Sequence, residues 1–121
     1  MTDWQRLQQR LPLLDERRLE QLEGELGAEV LRRLLGLFIE DGRIQGEALA
    51  AAFAEQDLER MARHLHSLKS ACGSYGALRC QYLGEKLEQC CRRRQREPLA
   101  ELMFAWQAAL ADTLAQVRLH R

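Results

Sequence analysis

His66 is the side chain best placed in this sequence to do chemistry. It lies in the run Ala62 to Leu87, A-R-H-L-H-S-L-K-S-A-C-G-S-Y-G-A-L-R-C-Q-Y-L-G-E-K-L, where small residues gather around it. A helical residue turns about 100° and rises about 1.5 Å. With Leu65 aimed at a core, Leu58, Met61, Ala62, Leu68 and Cys72 fall within roughly 60° of it and form one apolar stripe. His66 then stands about 100° away, beside the stripe and facing water. Ala62 is one turn before it, Lys69 and Ser70 one turn after, and Gly73 about two turns after. An uncrowded imidazole with one ammonium in reach suits a ring nitrogen that must meet a phosphoryl group carried by another protein.

The competing chemistries are weak. His64 is about 200° round the helix from His66, so the two cannot share a surface; it reads as a solvated or packing residue. His120 belongs to a frayed tail. Zinc needs Cys and His pairs at ligand spacing, and neither H-x-H nor C-C on a helix converges on one ion, so no metal site is expected. No G-x-x-x-x-G-K-[ST] or other glycine-rich phosphate loop appears, so the chain has no visible means of taking phosphate from ATP. No Ser/His/Asp set has the spacing of a nucleophile with its base. Lys69 carries its own signal. Of the 18 basic residues only Lys69 and Lys86 are lysine, and a compact ammonium suits a phosphoryl oxygen without clamping it. The plainer reading is a stem lying along the core edge.

The run H-S-L-K-S-A-C-G-S-Y-G-A resembles the signature of histidine-containing phosphotransfer (HPt) domains, commonly H-x-L-K-G-x-x-x-x-hydrophobic-G-A. His66, Leu68, Lys69, Gly76, Ala77, Leu83 and Leu87 match. The earlier L-L-D-E-R-R-L-E-Q-L and a long helix containing L-F-I-E-D look like the family's first half, so the resemblance covers nearly the whole chain. One position departs: Ser70 stands where glycine is usual, which keeps access and adds a hydroxyl. The resemblance implies a phosphorelay intermediate. His66 would accept a phosphoryl group on Nε2 from the aspartyl phosphate of a response-regulator receiver domain and pass it to another. Lys69 would offset the developing charge. Glu88, at a position that often carries Glu or Gln, would orient His66. The receiver would supply Mg²⁺, leaving this chain with no cofactor of its own. Docking is expected on the flank of Arg63, Ser67, Ser70 and Gly73, with exposed apolar residues of the first helices. Receivers and a hybrid sensor histidine kinase are the implied partners. Two other readings remain: an adaptor that binds such a partner without relaying phosphate, which would need no histidine, and a histidine kinase fragment, which would need a nucleotide site.

Composition sets the frame. The 121 residues make one domain, 1–121, long enough for a single core. Eighteen basic residues balance eighteen acidic ones, which argues against nucleic acid as a partner. No apolar stretch approaches the about 20 residues of a membrane span, and M-T-D-W-Q-R has no apolar signal core. A free-standing cytoplasmic monomer is the expectation, with Cys72, Cys80, Cys90 and Cys91 reduced. Adjacent Cys90 and Cys91 point to different faces, so at most one is expected fully inside.

Few β-branched residues and abundant Leu, Ala, Glu, Arg and Gln predict an all-α fold. Thr2 or Asp3 can cap a short helix to Arg10, with Trp4, Leu7 and Leu11 on one side, and Pro12 stops it. Asp15 can cap a second, Glu16 to about Leu26, with Leu19, Leu22 and Leu26 on one face. A third runs from about Ala28 to Glu55 on Leu31, Leu35, Phe38, Gly42, Leu49 and Phe53; its Gly42 and Gly46 mark a close neighbour or a bend. Asp57 can cap the fourth, which ends near Ser74 at Gly73 and Gly76. The fifth starts near Ala77 with Cys80, Leu83, Leu87 and Cys90 inward. It ends in R-R-R-Q-R, which reads as a solvated end favoured by the helix dipole, with a partner patch as the lesser reading. Pro98 opens the sixth, whose Leu99, Leu102, Met103, Trp106, Leu110, Leu114 and Val117 form the strongest stripe. Short links among the last four predict an antiparallel up-and-down four-helix bundle, with the two short N-terminal helices covering one end.

Overall fold

The computed structural model describes residues 1–120. Six helices follow one another: α1 (Asp3–Arg10), α2 (Glu16–Leu26), α3 (Ala28–Ala54), α4 (Leu58–Ser74), α5 (Leu78–Arg92) and α6 (Leu99–Arg118). The caps explain several starts. The Asp15 carboxylate accepts from Arg17 N at 3.1 Å and Arg18 N at 3.4 Å, and Asp57 accepts from Arg60 N at 3.1 Å. Thr2 and Gln5 form a capping box on α1. Helix α6 begins one residue later than its proline suggests, with Pro98 at the N-cap.

Helices α3 to α6 form the expected up-and-down bundle: each packs on the next, and α6 closes the ring against α3. The stripes read from the sequence meet along the axis, where Leu35, Leu49, Met61, Leu65, Leu83, Leu87, Met103 and Trp106 are buried. Gly42 and Gly46 mark a close neighbour. A Cβ at Gly42 would sit 3.2 Å from Leu114 Cδ2, and one at Gly46 only 2.7 Å from Leu110 Cδ2. The missing side chains let α6 approach α3.

The N-terminal helices cover the end where α4 turns into α5. Asp15 N donates to Gly76 O at 2.7 Å, and Arg18 Nε to Ser74 O at 3.1 Å. Arg79 donates through Nε and Nη2 to Leu11 O at 3.0 and 2.6 Å. Helix α2 lies over that end, and α1 leads to it along α5 and α6. Gly76 turns the chain at φ +71°. A Cβ there would lie 3.0 Å from the Cβ atoms of both Arg18 and Asp15. Gly76→Ala therefore adds left-handed strain of about 1–2 kcal/mol and a clash with atoms that cannot swing away. Denaturant unfolding should show a loss of about 2 kcal/mol; an unchanged midpoint would remove Gly76 from the account of this end.

Two expectations are corrected, for the adjacent cysteines and for His120. Cys90 and Cys91 are both buried, because α5 is flanked by α4 on one side and α6 on the other, so both faces are covered. Leu7 and Leu26 stand exposed, in line with the apolar residues expected bare on the first helices. His120 is not frayed; its ring is partly covered, with Nε2 3.4 Å from Glu16 Oε2 at the start of α2. No helix among the described residues is long and apolar enough to cross a membrane.

Candidate functional site

The α4 stripe is buried from Leu58 through Met61, Ala62, Leu65 and Leu68 to Cys72. That orientation carries His66 to the outer edge of the α4–α5 seam, where its side chain keeps 67% of its exposure. Helix α5, bound by Leu83 and Leu87, presents Glu88 to the same seam. Its carboxylate is only 8% exposed.

Glu88 is the electrostatic centre of the site. Its Oε2 lies 3.3 Å from His66 Nδ1, accepts from Arg92 Nε at 2.9 Å and is ion-paired with Arg92 Nη2 at 2.7 Å. Its Oε1 lies 3.0 Å from Lys69 Nζ. That last contact is close for an ion pair but poorly angled for a hydrogen bond, and Oε1 has no other partner. Burial alone would push the Glu88 carboxyl up; Lys69 and Arg92 outweigh it and hold the group below its usual value. An ionised carboxylate only accepts, so the Nδ1 facing it carries the hydrogen and Nε2 keeps its lone pair for the open side.

The depressed carboxyl has a consequence for stability. A group with a lowered folded pKa stabilises the fold fully above its ordinary value, 4.5 here, and loses that contribution as pH falls through the lower folded value. Thermal melts from pH 6 down to 3 should show the wild type losing stability relative to Glu88→Gln, which has no proton to take up. Parallel curves for the two proteins would refute the assignment.

Around the ring lies a shallow depression of about 370 Å³ lined by His66, Lys69, Ser70, Gly73, Gln81 and Glu85. A Cβ on Gly73 would come 3.1 Å from Gln81 Nε2, so this glycine leaves Gln81 its place in the wall. A wider surface groove, about 790 Å³, lies elsewhere, between α1 and α6. It is walled by Trp4, Phe104, alanines, glutamines and the carboxylates Glu101 and Asp112, and holds no histidine. A shallow depression is the shape that a reaction between two protein surfaces needs.

Of the residues singled out in the sequence, His66, Lys69, Ser70, Gly73 and Glu88 meet here. Ser67 is exposed on α4 outside the depression, and Arg63 lines a neighbouring groove. His64 turns to α3, with Nδ1 2.8 Å from Gln45 Oε1. Arg92, Gln81 and Glu85 were not anticipated. Arg92 was legible, because it stands one helical turn beyond Glu88, the spacing at which opposite charges pair. Gln81 and Glu85 gave no comparable signal. Among the described residues no group of three His, Cys, Asp or Glu side chains is placed to hold a metal ion.

A family model described as "Hpt domain" matches residues 33–119. The fold is similar to that of histidine-containing phosphotransfer protein B (HptB) from Pseudomonas aeruginosa PAO1, with a TM-score of 0.83 and 23% identity over 88% of this chain and 92% of that one. It is also similar to a candidate histidine-containing phosphotransfer protein from rice, with a TM-score of 0.75 and 16% identity over 97% of this chain and 85% of that one. No curated protein sequence matches the chain.

Proposed function

This chain belongs to the Hpt domain family, and on that footing we propose that His66 is the side chain that carries the phosphoryl group. Histidine phosphotransfer in a phosphorelay is the chain's function: it is a carrier between kinases and response regulators. One observation supports His66 over the other histidines. His66 alone joins an exposed ring, a carboxylate on Nδ1 and an ammonium bordering the same depression, whereas His64 faces Gln45 and His120 faces Glu16.

In the proposed step the Nε2 lone pair attacks the phosphorus of a receiver's aspartyl phosphate. The N–P bond forms as the P–O bond breaks, and the electron pair leaves with the aspartate carboxylate. The positive charge that attack places on the ring is met by Glu88 across Nδ1. Lys69 lies against Glu88 and lines the depression, so its ammonium can turn to the phosphoryl oxygens as they arrive. Both linkages are high in energy, so the reverse step discharges His66 onto a second receiver. The receiver brings Mg²⁺; this chain needs no cofactor and no ATP site, because its donor is already a phosphoprotein. Ser70 and Gly73 leave the ring room, while Arg63 and Ser67 flank the approach. The protein works as a cytoplasmic monomer.

Incubation with radiolabelled, phosphorylated receiver domains tests this reading. Label should move to this protein in an acid-labile, alkali-stable linkage, and drain when an unphosphorylated receiver is added. Absence of label from every receiver of the host would reject it.

A further inference from the structure

A second groove, about 420 Å³, adjoins the site at the end of the bundle where α5 turns into α6. It is lined by Leu58, Glu59, Ala62, Arg63, Cys91, Arg92 and Arg94, so three arginines face one glutamate. It is continuous with the phosphoryl site through Arg92, which lines the groove and also binds Glu88 at 2.7 Å. Arg63 stands one turn before His66. A protein seated on His66 must lay part of its surface over these cations.

The backbone adds a separate observation. Helix α5 ends in a Schellman motif: Gln95 N donates to Cys90 O at 2.9 Å and Arg94 N to Cys91 O at 3.2 Å. Arg94 occupies its left-handed position at φ +55°, where glycine is easier by roughly 1 kcal/mol. Helix α4 ends in the same motif with a glycine, Gly76. The other left-handed non-glycine, Gln56, accepts from Arg96 Nη1 at 3.0 Å and so ties two turns together. Arg94 has no such tie. Its guanidinium reaches Glu59 at 3.6 Å with both side chains mostly in water, a contact of little energetic weight. The turn thus carries an arginine that its backbone disfavours, directed over the groove beside His66.

We propose that Arg63, Arg92 and Arg94 form an acid-reading flank of the docking surface. It selects receivers that carry carboxylates beside their phosphoaspartyl site. This inference rests on His66 being the docking point. Arg92 is half committed to Glu88, so Arg63 and Arg94 supply most of the attraction. Charges at an interface rim act mainly on the rate of encounter and are screened by salt. The flank therefore sets which receiver is captured and how fast, while the chemistry stays with His66, Lys69 and Glu88.

The experiment compares Arg94→Glu, Arg94→Lys and wild type in phosphotransfer from the receiver that labels the wild type fastest, over a range of receiver and salt concentrations. At low salt Arg94→Glu should lower kcat/KM by about fivefold or more. The gap should close toward 0.5 M salt, where the Debye length falls to roughly 4 Å. Arg94→Lys should follow the wild type. Circular dichroism and melting show that all three are folded, and Arg94→Gly, which relieves the left-handed strain, gives a charge-free variant should Glu disturb the turn. Equal kcat/KM for wild type, Arg94→Glu and Arg94→Gly at low salt overturns the flank while leaving His66 intact. An equal loss in Arg94→Lys overturns it too, because charge is then not the cause. A wild type that takes no phosphate from any receiver removes the docking point and the flank with it.

Discussion

His66→Gln should acquire no acid-labile phosphate from any phosphorylated receiver while folding as the wild type does. The two halves of that result have separate causes. Glutamine keeps a polar side chain of similar reach but has no nucleophilic lone pair of the imidazole kind, so no N–P bond can form. The ring is 67% exposed and its polar partner is Glu88, which retains Arg92 and Lys69. An exposed substitution of this kind shifts stability by about 0.5 kcal/mol or less. Labelling by a receiver and a thermal melt, done together, check both. Label retained in His66→Gln with undiminished yield sinks the assignment. Label lost only because the variant unfolds would show that the ring supports the fold, contrary to its position.

Lys69→Ala should be the next most damaging change, and it should act on two properties at once. Transfer should slow by about 10–100-fold, since one cation that meets developing phosphoryl charge is gone while the receiver's own groups remain. Stability should also fall, by about 1–2 kcal/mol, because the buried Glu88 carboxylate then keeps only Arg92 as a counter-charge and its Oε1 faces none. The role that the sequence suggests for Lys69, offsetting developing charge, concerns rate alone. The coordinates add the stability term. The double variant Lys69→Ala with Glu88→Gln separates the two: removing the stranded charge should recover most of the stability and none of the rate. A double variant as unstable as Lys69→Ala would show that the lysine stem, packed beside Gly84, matters more than its charge.

Much of the bundle was written in local pattern. The stripe from Leu58 to Cys72 places His66 outside by rotation alone, and the Asp15 and Asp57 caps mark helix starts that the coordinates keep within a residue. Such features need only the helical repeat and a side-chain oxygen near free N–H groups. The failures share one cause. Whether Cys91 is covered and whether the His120 ring meets a partner depend on which helix lies alongside. No periodicity within one segment carries that information.

The same division runs through the site. The order of residue types determined the proposed nucleophile, its small neighbours, its lysine and the rotation that faces it outward, because all of these lie within a few turns of one helix. Tertiary structure decided what the ring leans on. Glu88 is 22 residues from His66, and only the antiparallel seating of α5 on α4 brings its carboxylate to 3.3 Å from Nδ1. The same seating sets Lys69 and Arg92 on either side of that carboxylate, so its burial is offset by two cations drawn from two helices. Electrostatic energy depends on distance through space and on exclusion of water. Those quantities exist only once the helices have met.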